Sequence, residues 1–414
     1  MGFKKVLTVF ISLITISAIL LIAIPGIPPD IEPESFNIEP PRNLEGWFAT
    51  NTILDEAELY FENGVAGIES LAVLNDDAIF SGDQNGNVFK ITGKQRAVNI
   101  TQLKFPCSVD AVDDRYRKCG WPLGMRFTDE ENLLVMDYFG GMTKINIKTG
   151  QYENLIPKGR PINGKIGHVP EDVDIAKDGS LYWTDGSTTG DFFTEMVGQP
   201  SGRLIKYDPK KRTNEVLLEN LYFSNGVSLS DDQEFILIVE CGMSSIRRYY
   251  LKGEKKGQND VFVSGLPGYP DNIRSNGRGG YYVGLTAPWN DQFSMRVHLL
   301  APRPMLRKLI LRSRHLLLSM IKYLRTLVAN NIYLDILEEY IIQNGPVMNF
   351  GKLPKTGTVV ELSKNGELIG VMNAKSGNVH SISQLTIGKE YAYLNSPFDS
   401  KIWRIKLEKL RRMQ

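Results

Sequence analysis

Short β-rich segments recur along most of this chain of 414 residues, and this repetition limits the fold more than any other feature. Most are two apolar, β-branched or aromatic runs joined by a turn. The segments lie at 78–91, 133–147, 181–207, 235–250, 280–285 and 391–405. The first five begin about 50 residues apart, as expected for propeller blades, which cannot bury their faces without neighbours. The spacing therefore predicts an all-β, six-bladed β-propeller; a β-sandwich or a two-domain arrangement would not explain it.

An apolar segment of nineteen residues, Val6–Ile24, precedes the repeats. As a helix it would be roughly 28 Å long, which matches the hydrocarbon thickness of a bilayer. Lys4 and Lys5 before it, and acidic residues after it, predict a cytoplasmic N-terminus at residues 1–5. The alternative is a cleaved signal peptide, but its apolar run is usually shorter and 23–25 is a poor cleavage sequence. The prediction is a transmembrane signal anchor at 6–24, and a single-pass type II protein of the plasma membrane or endoplasmic reticulum with a luminal or extracellular propeller.

The rest of the chain divides by composition. Residues 25–45 are rich in proline and acidic residues, which predicts a stalk before a propeller at 46–410. The last gap between repeats is about twice as long as the others and contains an insertion at about 296–345 that is rich in lysine and arginine. Apolar residues at helical spacing predict a basic helix there, with one stripe made of Leu306, Leu309, Ile310, Leu317, Ile321, Leu324 and Val328. Two interpretations stay open: the stripe packs on the propeller as a cap, or the helix lies in a membrane interface.

Polar residues recur where the innermost strand of each blade is expected to begin. They are Glu69, Glu171, Asp172, Asn225, Asp271 and Asn272. Innermost strands line the central channel of a propeller, so these oxygens would converge there. Carboxylate and amide oxygens without His or Cys favour a hard cation, Ca²⁺ before Mg²⁺ or Mn²⁺. Taken singly, each residue could be no more than part of a turn. The formal net charge of +1 gives no indication of nucleic-acid binding.

Three cysteines are too few for a disulfide scaffold. In an oxidising compartment Cys107 and Cys119 are candidate partners for one disulfide, and two free thiols are the alternative. Cys241 follows a hydrophobic run, which predicts a buried, unpaired thiol. Asn99 begins the only N-glycosylation sequon, whose use would require exposure to the lumen.

Several motifs carry a resemblance to a known family. They are Phe223-Ser224-Asn225-Gly226-Val227-Ser228-Leu229-Ser230, Ile246-Arg247-Arg248-Tyr249, Pro267-Gly268-Tyr269-Pro270-Asp271-Asn272-Ile273-Arg274 and Cys119-Gly120-Trp121-Pro122-Leu123-Gly124. In order and spacing the chain resembles the strictosidine synthase-like family from about residue 45 to the C-terminus, and within it the adipocyte plasma membrane-associated protein (hemomucin) branch. The resemblance implies a six-bladed propeller related to paraoxonases and gluconolactonases, with a metal, usually calcium, in the channel. It also implies a Cys107–Cys119 disulfide and a ligand set of Glu69, Glu171, Asn225 and Asp271, with Asn272 adjacent.

The chain departs from the family at three positions. The family usually has Asn where this chain has Glu171. Two alternatives stay open: Glu171 adds a carboxylate that binds the cation more strongly, or its extra methylene misplaces the ligand and Asp172 contributes instead. The catalytic carboxylate of the plant synthases corresponds to Ile387 here, so amine condensation is not expected. The first His of the paraoxonase pair would fall at 121–124, where this chain has no His.

The expected function is a membrane-anchored, metal-dependent esterase or lactonase, of the arylesterase type, that acts on small apolar esters. A channel cation would stabilise negative charge on the ester oxygen. Glu171 or Asp172 would act as the base, with His168 as the second choice. The alternative is a non-enzymatic cell-surface propeller that binds a partner and whose metal is structural.

Overall fold

In a computed structural model of the protein, the chain is described at residues 3–105, 120–190, 192–289, 296–328, 331–343 and 355–411. Its described strands form six four-stranded antiparallel sheets. The innermost strand of each sheet contacts those of both neighbouring sheets, so the sheets close into a ring. The predicted six-bladed propeller is therefore confirmed.

Five blades are each built from four consecutive strands. Blade one contains β2 (Leu71–Asn75), β3 (Ala78–Gly82), β4 (Asn87–Gly93) and β5 (Arg96–Gln102). Blade two contains β6 (Pro122–Asp129), β7 (Asn132–Asp137), β8 (Gly141–Asn146) and β9 (Tyr152–Pro157). Blade three contains β10 (Pro170–Ile175), β11 (Leu181–Asp185), β12 (Gly202–Asp208) and β13 (Thr213–Leu221). Blade four contains β14 (Ser224–Leu229), β15 (Phe235–Glu240), β16 (Ser245–Tyr250) and β17 (Asn259–Val263). Blade five contains β18 (Gly268–Ser275), β19 (Tyr281–Pro288), β20 (Gly357–Leu362) and β21 (Leu368–Ala374).

Blade six joins the two ends of the propeller. It contains β22 (Gln384–Ile387), β23 (Tyr391–Asn395), β24 (Lys401–Lys406) and, as its outermost strand, β1 (Glu58–Glu62). β1 pairs antiparallel with β24, and Leu59 lies opposite Trp403. The ring is thus closed by hydrogen bonds between a strand near the N-terminal end of the propeller and a strand near its C-terminal end.

Five of the six repeated segments correspond to the second and third strands of a blade, and 280–285 corresponds to the second strand of blade five alone. Neighbouring blades cover both faces of these strands, so their side chains are buried without alternation, as in β15 and β19. The outermost strands are more exposed, as in β5 and β13. Their weaker apolar pattern explains why the sequence did not identify them.

The described helices are α1 (Phe3–Ala23), α2 (Phe192–Val197), α3 (Arg296–Leu300), α4 (Pro304–Leu327), α5 (Ile332–Gln343) and α6 (Leu407–Leu410). Within α1, Lys4–Ala23 is long and apolar enough to cross a membrane. Its mean hydropathy is 2.8, and none of its most apolar residues is buried against the rest of the chain. Helices α3 to α5 form the predicted helical insertion before the last blade. They lie between β19 and β20, inside blade five.

The insertion and the α2 loop lie on one face of the propeller, here called the channel mouth. Pro170 pairs with Asp185 and Gly268 pairs with Pro288, so the loops after β11 and β19 leave where the innermost strands β10 and β18 begin. One apolar cluster at this face joins Val169 and Tyr269 to Leu300 and Leu311 of the helices. The insertion therefore caps the channel mouth.

The segment at 25–45 has no helix or strand, as its composition suggests, but it is not a free stalk. Ile31 and Ile38 are buried in the same apolar cluster. The backbone N–H of Phe36 donates to the Ala301 carbonyl at 3.3 Å. The segment runs along the cap and ties α1 to the propeller.

The contact face of α4 differs from the predicted stripe. Leu306 and Leu317 of the stripe are 41% and 46% exposed. The buried side chains of α4 are instead Arg307, Lys308, Leu311, Arg312 and Ile321, of which only Ile321 belongs to the stripe. The cations are buried because backbone carbonyls and an acidic side chain accept their hydrogen bonds, which spacing of apolar residues does not reveal.

Candidate functional site

Most of the candidate ligands lie in β-bulges at the start of the innermost strands. The register of β10 against β11 shifts between Pro170 and Val173, and that of β14 against β15 shifts between Ser224 and Val227. The same irregularity occurs in β18, between Pro270 and Ile273, and in β6. A bulge re-aims the side chains within it. The repeated bulge thus turns residues 171, 225 and 271 toward the centre at the channel mouth.

Two glycines allow these bulges to pack together. A Cβ on Gly226 would lie 2.7 Å from the Cα of Asn272 and from the carbonyl oxygen of Asp271. A Cβ on Gly124 would lie 2.6 Å from the Cα of Asp172. Position 226 is suited to glycine because the backbone of β18 in blade five occupies the space that a side chain would take.

Three buried carboxylates, here called the mouth cluster, converge at this point: Glu69, Glu171 and Asp271. Burial raises the pKa of Glu69 well above its usual range, and the charges of Asp271 and Asp172 raise it further. Burial likewise raises the pKa of Glu171, reinforced by Glu69 and Asp271. The pKa of Asp271 is raised to about 8 by burial and by the charge of Asp172. These mutual effects indicate that the three groups share one environment of low dielectric.

Asp172 has a different role, because it is paired. Its Oδ2 accepts hydrogen bonds from Arg274 Nη1 at 2.6 Å and from the Val227 N–H at 3.0 Å. Burial alone would raise its pKa, but the guanidinium groups of Arg274 and Arg126 outweigh burial and hold the pKa below its usual range. Asp172 is therefore a charged counter-ion within the channel, beside the unpaired cluster.

Arg274 links this ion pair to the candidate ligands. Its Nη2 donates to Asn272 Oδ1 at 3.2 Å, and it also lies 3.4 Å from Ser70 Oγ. Arg126 lies 3.6 Å from both Asp172 and Asp174. Sequence analysis missed both arginines. The available signal was the position of Arg274 two residues after Asn272, because residues i and i+2 of a strand lie on the same face.

The mouth cluster fits a hard cation by its donor chemistry. The side-chain oxygens Asn225 Oδ1 and Asp271 Oδ1 are buried and have no hydrogen-bond partner, an arrangement that costs free energy unless a ligand occupies it. The candidate metal-ligand atoms of the cluster are all oxygens, which are the ligands that Ca²⁺ prefers. Across the described residues, no group of three or more His, Cys, Asp or Glu side chains could hold a metal ion by itself. A cation at the mouth would therefore need the amide oxygen of Asn225 as well.

The other predicted site residues are dispersed. His168 is half-buried on the channel-mouth face, two residues before β10. Its backbone N–H donates to the Ser187 carbonyl at 2.8 Å. Asn99 is exposed on β5, where a glycan could be attached. Cys241 is buried and unpaired, as predicted. Cys107 and Cys119 lie outside the described residues, so their pairing stays a prediction.

Ile387 lies away from the mouth cluster. It is the last residue of β22, whereas Ser383, just before that strand, donates from Oγ to the Glu69 carbonyl at 2.7 Å. Four residues of strand separate the two positions by about 13 Å. The lack of a carboxylate at 387 therefore says nothing about the chemistry available at the cluster itself.

Solved structures share the fold. A gluconolactonase from Xanthomonas campestris matches with a TM-score of 0.52 at 13% identity, covering 90% of this chain and 97% of its own. A luciferin-regenerating enzyme matches with a TM-score of 0.50 at 10% identity, covering 83% of this chain and 92% of its own. At these identities the likeness shows the propeller fold alone.

Sequence comparisons are more specific. Residues 171–254 match the family model of strictosidine synthase, and residues 46–91 match that of the strictosidine synthase-like N-terminal region. The Adipocyte plasma membrane-associated protein Hemomucin of Drosophila melanogaster is 31% identical over 420 residues, covering 99% of this chain and 71% of the relative. The Adipocyte plasma membrane-associated protein of Bos taurus is 32% identical, covering 94% of this chain and 87% of the relative. The chain therefore belongs to the adipocyte plasma membrane-associated protein family of strictosidine synthase-like propellers.

Proposed function

We propose that the protein is a membrane-anchored, calcium-dependent hydrolase of small apolar esters or lactones, and not a strictosidine synthase. The observation that carries the proposal is the mouth cluster. Its carboxylates, Glu69, Glu171 and Asp271, are buried together, and none forms an ion pair with a described basic side chain. Uncompensated buried charge is expensive to maintain, and groups with perturbed pKa values concentrate at functional sites.

A cation would be held by Glu69, Glu171, Asn225 and Asp271, with Asn272 beside them. When bound, it would supply electrostatic stabilisation of the negative charge that develops on an ester carbonyl oxygen. Arg274 holds the Asn272 oxygen in place and neutralises Asp172. The ligand set is thus supported by the ion pair beneath it.

Glu171 is the proposed base, since no described basic side chain pairs with its carboxylate and burial raises its pKa above the usual range. It would take a proton from the attacking water at a carboxylate oxygen. Asp172 is proposed as a positioning residue, because Arg274 occupies its oxygens. His168, on the same face, is the second choice for the base.

The surroundings of the cluster suit an apolar substrate. Val169, Phe223 and Tyr269 are buried immediately beside the bulged strands and pack under the cap. Apolar surroundings of this kind exclude water, and we propose that they favour small acyl or aryl groups. The gluconolactonase name of one solved propeller makes lactones a reasonable first test.

The membrane topology is part of the proposal. We place the anchor at Val6–Ile24 in the plasma membrane or endoplasmic reticulum, with the propeller luminal or extracellular. Expression in animal cells should then give a glycan at Asn99, which endoglycosidase removes. The variant Asn99→Gln should lose the resulting mobility shift. An unmodified wild-type chain would contradict the orientation.

Turnover is tested on the full chain in nanodiscs, with phenyl acetate and simple lactones, in calcium or in chelator. We expect hydrolysis with calcium, and its loss with chelator and in Glu171→Gln and Asn225→Ala. Asn259→Ala, at an exposed position on β17, should keep the wild-type rate. Equal rates with and without chelator, or in Asn225→Ala, would overturn the metal mechanism.

One observation favours a second candidate, a non-enzymatic surface propeller that binds a partner and in which the cation is structural. Glu69, Glu171, Asn225 and Asp271 are each no more than 6% exposed, so the cluster is closed to bulk solvent. A site of this kind could hold blades one, three, four and five together without turnover. Chelation that lowers Tm in a protein without any hydrolysis would support this function.

A further inference from the structure

The outer side of the helical cap is apolar, whereas acidic side chains of the cap are buried. On α5, Asp335 and Glu338 are only 3% and 5% exposed, whereas Tyr333 and Tyr340 are 77% and 62% exposed. The apolar residues of α5 that face outward are Ile332, Ile336, Leu337 and Ile342. A helix surrounded by water would show the opposite distribution.

An ion pair inside the α4–α5 hairpin explains how the acidic residues are kept inside. Arg325 of α4 lies 2.7 Å from both Asp335 and Glu338. The outer side of α4 is apolar as well: Met305, Leu306, Leu316, Leu317, Met320, Tyr323, Leu327 and Val328 are exposed. The two helices therefore present one outward apolar surface, here called the hairpin surface. A monomer in water rarely exposes so many apolar side chains together.

The inner side of α4 fixes the hairpin relative to the propeller. Arg307 Nη1 donates to the Gly198 carbonyl at 2.7 Å, just after α2. Lys308 lies 2.6 Å from Glu32 of the segment that leads from α1. The orientation of the hairpin surface is therefore set by buried polar contacts with the rest of the chain.

The hairpin is also joined to the candidate membrane span. Arg312 Nη1 donates to the carbonyl oxygens of Leu21 at 2.7 Å and Ile24 at 2.8 Å, the last of which lies just beyond α1. These are carbonyls at a helix C-terminus, which lack partners within the helix. α1 is half-buried at Ala18, Leu21 and Ile22 but exposed over most of its length. α4 thus crosses α1 at the end of the span, at the level where a bilayer meets water.

We infer that the hairpin surface lies in the membrane that α1 spans, at the boundary between headgroups and acyl chains. Its continuity with α1 selects the bilayer as the occupant. Exposed tyrosines, and the exposed cations Arg303 and Lys322 on the same element, match the composition of interfacial helices. The anchor and the hairpin together would hold the channel mouth against the bilayer. This inference does not depend on the proposed hydrolase activity.

The test uses the full chain in phosphatidylcholine nanodiscs, with single added cysteines carrying an environment-sensitive fluorophore. Leu317→Cys and Tyr340→Cys probe the hairpin surface. Val98→Cys on β5 and Val261→Cys on β17 are matched controls, since both valines are more than half exposed. The parent chain gives the background from its own cysteines, and a thermal melt of each variant confirms folding.

We expect lipids with a spin label on the acyl chain to quench the hairpin probes several-fold more than the controls. Aqueous iodide should quench the controls and spare the hairpin probes. Hairpin probes that are open to iodide, like the controls, would overturn the inference. Probes shielded from both quenchers would also overturn it, because a second copy or another protein would then cover the surface.

Discussion

Arg274 Nη1 lies 2.6 Å from Asp172 Oδ2, and both side chains are buried in the centre of the propeller. This ion pair joins blade three to blade five across the channel and leaves the carboxyl groups of the mouth cluster without a basic partner among the described residues. The centre thus has a neutralised layer beneath an acidic one.

Removing the cation of this pair should destabilise the fold strongly. Arg274→Met leaves Asp172 buried with only the more distant Arg126, and breaking such a pair costs about 3–5 kcal/mol. Urea unfolding of the full chain in detergent measures the change. Lys148→Met is the control, because its pair with Glu131 is exposed and screened by solvent, so its loss should change stability little. A loss no larger than that of the control would contradict the assigned role of Arg274.

The mouth cluster should make the protein less stable as pH rises when no cation is bound. The pKa of Asp271 is raised to about 8 in the fold, so the folded state binds more protons than the unfolded state above the ordinary carboxyl pKa. The stabilising effect of this proton is complete below about pH 4 and is lost as pH rises toward 8. In chelator, Asp271→Asn should therefore gain Tm over the wild type at pH 8 and differ little at pH 4. A constant difference across this range would contradict the shifted pKa.

The third carboxylate should strengthen the response to calcium. Replacing Glu171 by the Asn that the family usually has at this position removes one buried negative charge. The rise in Tm on adding excess calcium should be smaller in Glu171→Asn than in the wild type, since stabilisation by a ligand follows its affinity. Differential scanning fluorimetry with and without calcium measures both rises. A larger rise in the variant would mean that the longer Glu side chain misplaces its oxygens.

A methyl group at Gly226 should disturb the packing of blade four against blade five. Its Cβ would lie 2.7 Å from backbone atoms of residues 271 and 272, which cannot move away easily. Gly226→Ala should cost roughly 1–3 kcal/mol, as overpacking usually does, and should weaken the calcium response. Gly370→Ala on β21 is the control, because the nearest atom to its Cβ would be 3.4 Å away. Equal stability of the two variants would contradict the close approach.

The cysteines should divide into one free thiol and one disulfide. Cys241 is buried, and burial raises the pKa of its thiol, so alkylation of the native protein should be slow. After unfolding without reductant, mass spectrometry should find one alkylated cysteine, and with reductant three. Three alkylated cysteines without reductant would contradict the predicted Cys107–Cys119 pairing.

The sequence alone determined the repeat and therefore the fold, because each blade must bury the apolar faces of its middle strands, as in 235–240. It also determined the candidate membrane span at the N-terminus and the oxygen-rich positions at the channel mouth. Bulges and glycines are local devices with local signals, such as Asn225-Gly226 and Pro270-Asp271.

Only the tertiary structure decided which of these polar groups are paired. Arg274 and Asp172 are 102 residues apart in sequence, so no local pattern reveals that one neutralises the other. The same holds for Arg312 with the end of α1, whereas Arg325 reaches Asp335 only because α4 and α5 pack against each other. These contacts turn the charges of the insertion inward and its leucines and tyrosines outward. The spacing of apolar residues along a helix predicts that it has an apolar face. Whether charged side chains are buried depends on partners that the fold brings from elsewhere in the chain.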